Sequence, residues 1–440
     1  MSHSHILSVG ASAVDITPST TQFLSGYAHV SRYSTGVHDR LMSSALYLHD
    51  GTTEALFIAN DVICVPKAMV ARVRERIELR TAIPASHIMI TATHTHSGPM
   101  VVGGLLSGSH PETSQPDPAY LEMLEDGMVA AAELTRQRAN PGRIGLAVAV
   151  CPDIGTNRRD PGGPSNPRVP VLLASTLTDE TPVAAMFVSS MHPTVLHGDS
   201  TLISGDFPAM ARQYLQRHVL DPCPILIHTG PSGNLSPRHV TRANTFEEAE
   251  RLGTLLGRAI EQALQRIELQ AQVRIRHQRA LVDLPPKPIP PVAEAARRLV
   301  KARARLEALR RARAPREIVR TAEVDWLGAE ACVALARAAE TGRLEGARKA
   351  CMPAEIQVIQ VRPWRFVGWP GEVFVEYGLR VEHQVPQSFV ISLANGELQG
   401  YIATPEAARE GGYEAVYGLF APESGALLVA RTLNLLSEMA

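Results

Sequence analysis

The stretch ALYLHDGTTEALFIANDVI, from Ala45 to Ile63, sets two strand-like runs around an Asp50-Gly51 turn signal, the pattern of a β-hairpin. Directly after it, PKAMVARVRERIELR places Pro66 where a helix starts, with Met69, Val70, Val73 and Ile77 on one apolar stripe. A third apolar run, SHIMITAT, follows. A hairpin imposes antiparallel pairing, whereas a strand–helix–strand crossover delivers parallel neighbours. A chain that contains both folds into mixed β-sheets flanked by helices, an α/β class.

The alternation continues downstream. Asp117-Pro118 reads as an N-cap and first helical position, opening a helix to about Gln137. GRIGLAVAV, VPVLLASTL, VAAMFVSS and CPILIHTG read as strands, a helix spans about 246–267, and VRIRHQRALVDL and EIQVIQV alternate as half-buried strands do. With 440 residues, 45% of them hydrophobic, a large core is available. One segment breaks the pattern. Between residues 286 and 352 a proline-rich connector leads into a helical stretch with ten Lys or Arg from Arg297 to Arg320. No aromatic residue interleaves there for stacking on bases, so the reading is a solvated, protruding helical arm suited to a dimer contact. Strands resume after it, which makes it an insertion within a single domain spanning 1–440.

Net charge is −1, which argues against nucleic acid or an anionic membrane as partner. The five cysteines are scattered, odd in number and form no CxxC pair, so neither a disulfide framework nor a cysteine zinc site is expected. The N-terminal residues show no basic segment followed by an apolar one, and no apolar run reaches the roughly 18 residues of a membrane span. A cytoplasmic protein with no stable membrane association is expected.

Chemistry concentrates at strand ends. ITATHTHSGPM carries His94 and His96, two residues apart, which in extended backbone puts both imidazoles on one face. A second cluster, MHPTVLHGDSTLISGDF, holds His192, His197, Asp199 and Asp206. Catalytic zinc takes about three protein ligands and an open position, which His94, His192 and a later carboxylate would supply. Glu372, after the Pro-Gly of GWPGEVF, is the candidate carboxylate. Ser236, in the glycine-rich HTGPSGNLSPRH, is a candidate nucleophile outside the GxSxG pattern. Asp61 and Asp206 are candidates for holding ligand tautomers from behind, or simple turn caps.

In this order, VGASAVDITP, GVHDRLMSSALYLHDG, THTHSGP, NRRDP, HPTVL, ISGDFP, GNLSP, WPGEVF and GGYEAVYG resemble the neutral/alkaline ceramidase family, specifically its N-terminal catalytic domain, over nearly the whole chain. The resemblance implies one zinc ion per chain, held by His94, His192, Glu372 and Tyr413. It places His96 beside the substrate, matches Arg158 and Tyr417 to positions that contact the scissile group, and matches Ser236 to a serine for which a nucleophilic role has been proposed. The chain departs from the pattern in four places. Asn234 stands where the family has aspartate, the C-terminal immunoglobulin-like domain and a secretion signal are not evident, and the Arg-rich segment has no counterpart. The expected activity is hydrolysis of the amide bond of an N-acyl compound by an activated water, with a soluble small-molecule substrate preferred. A true ceramidase, or an ester or lactone hydrolase on the same fold, is the alternative.

Overall fold

The structure is a computed structural model and describes residues 6–27, 30–103, 105 and 115–439, with residues 316 and 317 traced by backbone alone. Eight strands form the larger sheet: β1 (Ser8–Asp15), β2 (Met42–His49), β3 (Glu54–Asn60), β4 (Ile88–Ala92), β5 (Asn140–Val150), β6 (Arg168–Thr176), β7 (Pro182–Ser189) and β8 (Ile225–Thr229). Their spatial order is β8-β7-β6-β5-β1-β2-β3-β4. The hairpin read around Asp50-Gly51 is β2–β3, in register from Ser43↔Asn60 to His49↔Glu54. Both outermost pairs, β3 with β4 and β7 with β8, are parallel, and the pairs between them are antiparallel. Each parallel pair is joined by a crossover containing a helix, α1 (Lys67–Thr81) on one side and α3 (Asp206–His218) on the other.

The sheet is covered on both faces, which explains why its strands read as nearly continuous apolar runs. Along β2, Ala45 and Tyr47 face the outer helices, while Leu46 and Leu48 face inward. Helix α1 and α2 (Pro118–Gln137) cover one half of the outer face through residues such as Val70, Ile77, Leu124 and Met128. Helix α3 and α4 (Phe246–Leu264) cover the other through Phe207, Leu252 and Leu256. The inner face packs on a second sheet, β9 (Ile275–Val282), β10 (Ala354–Val361), β11 (Trp364–Gly368) and β12 (Ser388–Ile391), in that spatial order. Phe57 and Phe366 meet edge-to-face across this interface with ring centroids 5.4 Å apart.

The larger sheet curls until its two edges meet. Thr91 Oγ1 on β4 lies 2.8 Å from His228 Nδ1 on β8, and Thr229 Oγ1 donates to the Thr93 carbonyl at 2.7 Å. The smaller sheet sits along this seam, with Ser392 N–H bonded to the Thr229 carbonyl and Asn395 N–H to that of Ile90.

The Arg-rich insertion forms three helices, α5 (Val292–Arg311), α6 (Arg316–Glu340) and α7 (Arg343–Cys351), between the antiparallel partners β9 and β10. The expectation of a solvated, protruding arm needs correcting. Leu335, Ala338 and Leu344 belong to the core shared with β10 and the helices α8 (Val375–Gln384) and α9 (Glu423–Glu438). The arginines are largely on the outside, paired with Glu307, Glu323 and Asp325, while the apolar side turns inward.

The seam generates a first prediction. Thr91→Val leaves the fully buried His228 ring nitrogen without its partner, which should cost about 1–3 kcal/mol. Chemical denaturation reads the loss, and an unchanged midpoint would show that the edge closure does not depend on this contact.

Candidate active site

β4 ends at Ala92, and two residues later the chain enters a left-handed turn at His94, with φ of +67°. That conformation is uncommon for a residue with a β-carbon and occurs where surrounding contacts enforce it. Here His94 N–H bonds the Val62 carbonyl at 2.9 Å, and its ring Nδ1 donates to the Ile63 carbonyl at 2.7 Å. His192 follows β7, and its Nδ1 donates to the Ser232 carbonyl at 2.7 Å. Both Nε2 atoms therefore carry lone pairs, and they point at one another 3.2 Å apart. His96 Nε2 lies 3.3 Å from His94 Nε2. Glu372 Oε2 completes the group, 3.0 Å from His192 Nε2 and 3.2 Å from His94 Nε2.

Lone pairs and a carboxylate oxygen at such distances repel unless a cation lies among them. The ligand atoms of His94, His96 and His192 all fall within 4.8 Å of one another, and all three residues are buried or nearly so. The donor set, imidazole nitrogen plus carboxylate oxygen, suits zinc. Burial, reinforced by the Arg158 charge, lowers the His192 pKa to about 4, and burial together with His94 and His192 holds His96 well below the ordinary imidazole range. Burial alone would raise the Glu372 pKa, but the closeness of the His94 and His192 rings outweighs it and holds the carboxyl well below its ordinary range. Neutral imidazoles and an ionised carboxylate are the forms that bind metal.

The group opens on a cavity of about 550 Å³ that is also lined by Arg158, Ser236, Tyr413 and Tyr417. Tyr413 stacks on Tyr417 with centroids 5.3 Å apart, and both rings stand 5.8 Å from Tyr401. Tyr401 in turn pairs with Glu372 in a short parallel bridge, and its ring lies 6.4 Å from that of His192. Tyr413 thus shares the cavity, while the tight cluster itself consists of the three histidines and Glu372. Arg158 donates to the Gly233 carbonyl at 2.6 Å, pairs with Glu414 at 2.8 Å and lies over Tyr401 at 5.2 Å.

Asp61 and Asp206, open in the sequence to either tautomer support or turn capping, bind backbone amides. Asp61 accepts from Met42 N–H and pairs with Arg212 at 2.7 Å, and Asp206 accepts from the amides of Leu196 and Phe207. Neither touches an imidazole, because backbone carbonyls already fix the tautomers. Asn234 does not polarise Ser236. Its side-chain amide clips the Ser232–Ser236 loop to the start of α8, donating to Glu376 at 2.9 Å and accepting from Val375 N–H at 2.9 Å. The hydroxyl of Ser236 accepts from the Arg238 amide, a contact that cannot remove its proton.

Several residues had no signal of their own in the sequence. Tyr401 and Glu414 are placed only by packing, although Glu414 lies within the GGYEAVYG motif. Gly26 has φ of +96°, and a β-carbon there would lie 2.5 Å from the His96 ring. The inner stripe of α6, including Val324, Leu327 and Ala331, forms a cavity wall.

A buried histidine–carboxylate group beneath a partly apolar cavity, on a two-sheet α/β scaffold, is a constellation suited to metal-dependent hydrolysis. Residues 7–222 match the family described as neutral/alkaline non-lysosomal ceramidase, N-terminal. It is 26% identical over 230 residues to a neutral ceramidase of Oryza sativa subsp. japonica, covering 47% of this chain and 28% of the relative. It is 27% identical over 236 residues to a neutral ceramidase of Mycobacterium tuberculosis, covering 49% of this chain and 36% of the relative. The match therefore spans roughly a third of the length of these curated relatives. The fold resembles the crystal structure of neutral ceramidase from Pseudomonas aeruginosa, with a TM-score of 0.74 at 18% identity, covering 97% of this chain and 73% of that one. It also resembles a ceramidase complexed with C2, with a TM-score of 0.72 at 16% identity, covering 97% of this chain and 74% of that one.

Two outcomes check the geometry. Metal-stripped protein titrated with zinc should take up one ion per chain, and His192→Ala should weaken uptake by more than the roughly 10–100-fold that loss of an outer partner costs. Competition with a chromophoric chelator reads this, and unchanged affinity in the variant would dissolve the assignment. Gly26→Ala should displace His96 and lower activity more than it lowers the unfolding temperature.

Proposed function

We propose that the chain is a zinc-dependent amidohydrolase that cleaves the amide bond of N-acyl compounds with a long apolar chain, of the kind that ceramide represents. The observation that carries the reading is the convergence of His94, His96, His192 and Glu372 on one point at a cavity whose walls include Phe23, Leu24, Val101, Leu299 and Leu327. The apolar wall and the named activity of the relatives favour this over the small soluble amide expected from the sequence.

A zinc ion bound there would supply Lewis acidity, polarising the scissile carbonyl and making water nucleophilic near neutral pH. His94, His192 and Glu372 would hold it, with Tyr413 proposed as the fourth group. His96, buried and neutral, faces the same space and acts as the base that orients and deprotonates the attacking water. Arg158 and Tyr417 stabilise the negative charge that develops on the carbonyl oxygen. Two of the Arg158 contacts are committed to Gly233 and Glu414, so it acts through its fixed charge and through the tyrosines it orders. Water is preferred to Ser236 as nucleophile, because the recorded hydrogen bond to that hydroxyl comes from a donor.

Turnover of a series of N-acyl amides, ceramide included, followed by chromatography and mass spectrometry, tests the reading. Chelation should abolish activity and zinc should restore it. Glu372→Gln should lose at least about 100-fold in kcat/KM, beyond the roughly 10–100-fold that loss of an outer partner costs, whereas Ser236→Ala should stay within about 10-fold of wild type. An acyl-enzyme trapped on Ser236 would reverse the choice of nucleophile. Each added acyl methylene buried against the wall is worth about 0.8 kcal/mol, or about fourfold in kcat/KM, until the cavity is filled. A flat dependence on chain length would remove the long-chain assignment.

A further inference from the structure

The cavity carries more positive charge than the proposed hydrolysis uses. Besides Arg158, its lining includes Arg238, Arg320, Arg337 and Arg343. Among the described lining residues the carboxylates are Glu330 and Glu372, and Glu372 is taken up by the histidines. Arg238 stands in the helical turn directly after Ser236. Among the described residues its side chain makes one long hydrogen bond, 3.5 Å to the Arg158 carbonyl. The charges around it are mostly of its own sign: Arg158 and Arg320 repel it, and Glu414, which attracts it, is already bridged by Arg158 at 2.8 Å and Arg159 at 3.2 Å. Burial, with this repulsion, pulls the Arg238 pKa down to about 10, so the group remains charged at neutral pH. Arg320 reaches the cavity from α6 and must share Glu323 with Arg310.

A partly buried cation with no carboxylate of its own is unfavourable, and a guanidinium offers parallel N–H groups that match a carboxylate or phosphate. We propose that Arg238 and Arg320 form an anion subsite beside the scissile position, and that the compound cleaved here is an N-acyl amide whose polar end carries a carboxylate or phosphate. This deepens the amidohydrolase reading and rests on it for the identity of the bond cleaved. The two guanidiniums approach from different parts of the chain, the turn after Ser236 and the inserted helix. The insertion therefore supplies a polar determinant as well as an apolar wall.

Binding to metal-stripped protein separates the subsite from the chemistry. Calorimetry with N-dodecanoylglycine, its methyl ester and dodecyl phosphate should show both anions binding at least about 10-fold more tightly than the ester, with the advantage shrinking as salt rises. The tighter of the two anions names the group the subsite takes. Arg238→Gln and Arg320→Gln should each reduce the preference for anion over ester several-fold, and Arg238→Lys should retain part of it. Equal affinity for acid and ester in wild-type protein would overturn the proposal, and so would an anion preference that survives both glutamine variants. If the binding preference holds but zinc-loaded protein cleaves none of the acidic or neutral amides, the amidohydrolase reading fails and the anion subsite stands. If cleavage occurs with neutral ceramide favoured over N-dodecanoylglycine and ceramide 1-phosphate, the subsite fails and the amidohydrolase reading stands.

Discussion

The closure of the larger sheet on itself is the constraint from which the rest follows. β4 and β8 are the two ends of an eight-stranded order, yet Thr91 and His228 share a hydrogen bond inside the protein. A twisted sheet of this length tends to curl, and covering helices on its outside with a second sheet on its inside fix how far it does. Once the edges meet, the loops after β4 and β7 open on the same space. His94 and His192, 98 residues apart in sequence, are then neighbours.

The candidate centre is held by backbone more than by side chains. Carbonyls of Ile63 and Ser232 orient the two innermost imidazoles, and the left-handed turn at His94 aims the first. Asn234 ties the loop that supplies the Ser232 carbonyl to the helix that follows Glu372. A carboxylate in place of these carbonyls would add charge to an already crowded set. Neutral carbonyls fix tautomers without that, and leave the net charge of the site to Glu372.

Much of the local structure was legible because it is encoded locally. The Asp-Gly turn, the proline at the start of α1 and Asp117 accepting from Ala119 N–H are short-range devices that a sequence exposes directly. The histidine motifs were visible for the same reason, each lying just past an apolar strand. What the sequence did not display was tertiary. The stripe of Val324, Leu327, Ala331 and Ala334 has helical spacing, but the surrounding arginines gave the segment the look of a solvated surface. Its burial depends on a cavity built by residues far away. Likewise Asp61 and Asp206 sit at strand ends where a supporting carboxylate belongs, and only the positions of Ile63 and Ser232 show that the role is already filled.

The insertion leaves the smaller sheet after Val282 and returns at Ala354, and these two residues are partners in an antiparallel ladder. Its ends are therefore held side by side by the sheet whatever lies between them. Loop-closure entropy grows only slowly with length, so helices can be added, shortened or replaced here with little penalty to the scaffold. The histidine–Glu372 group lies outside this excursion, while part of the cavity wall lies within it. The helical excursion is thus an exchangeable cassette: changing it alters what the cavity admits and leaves the candidate centre intact.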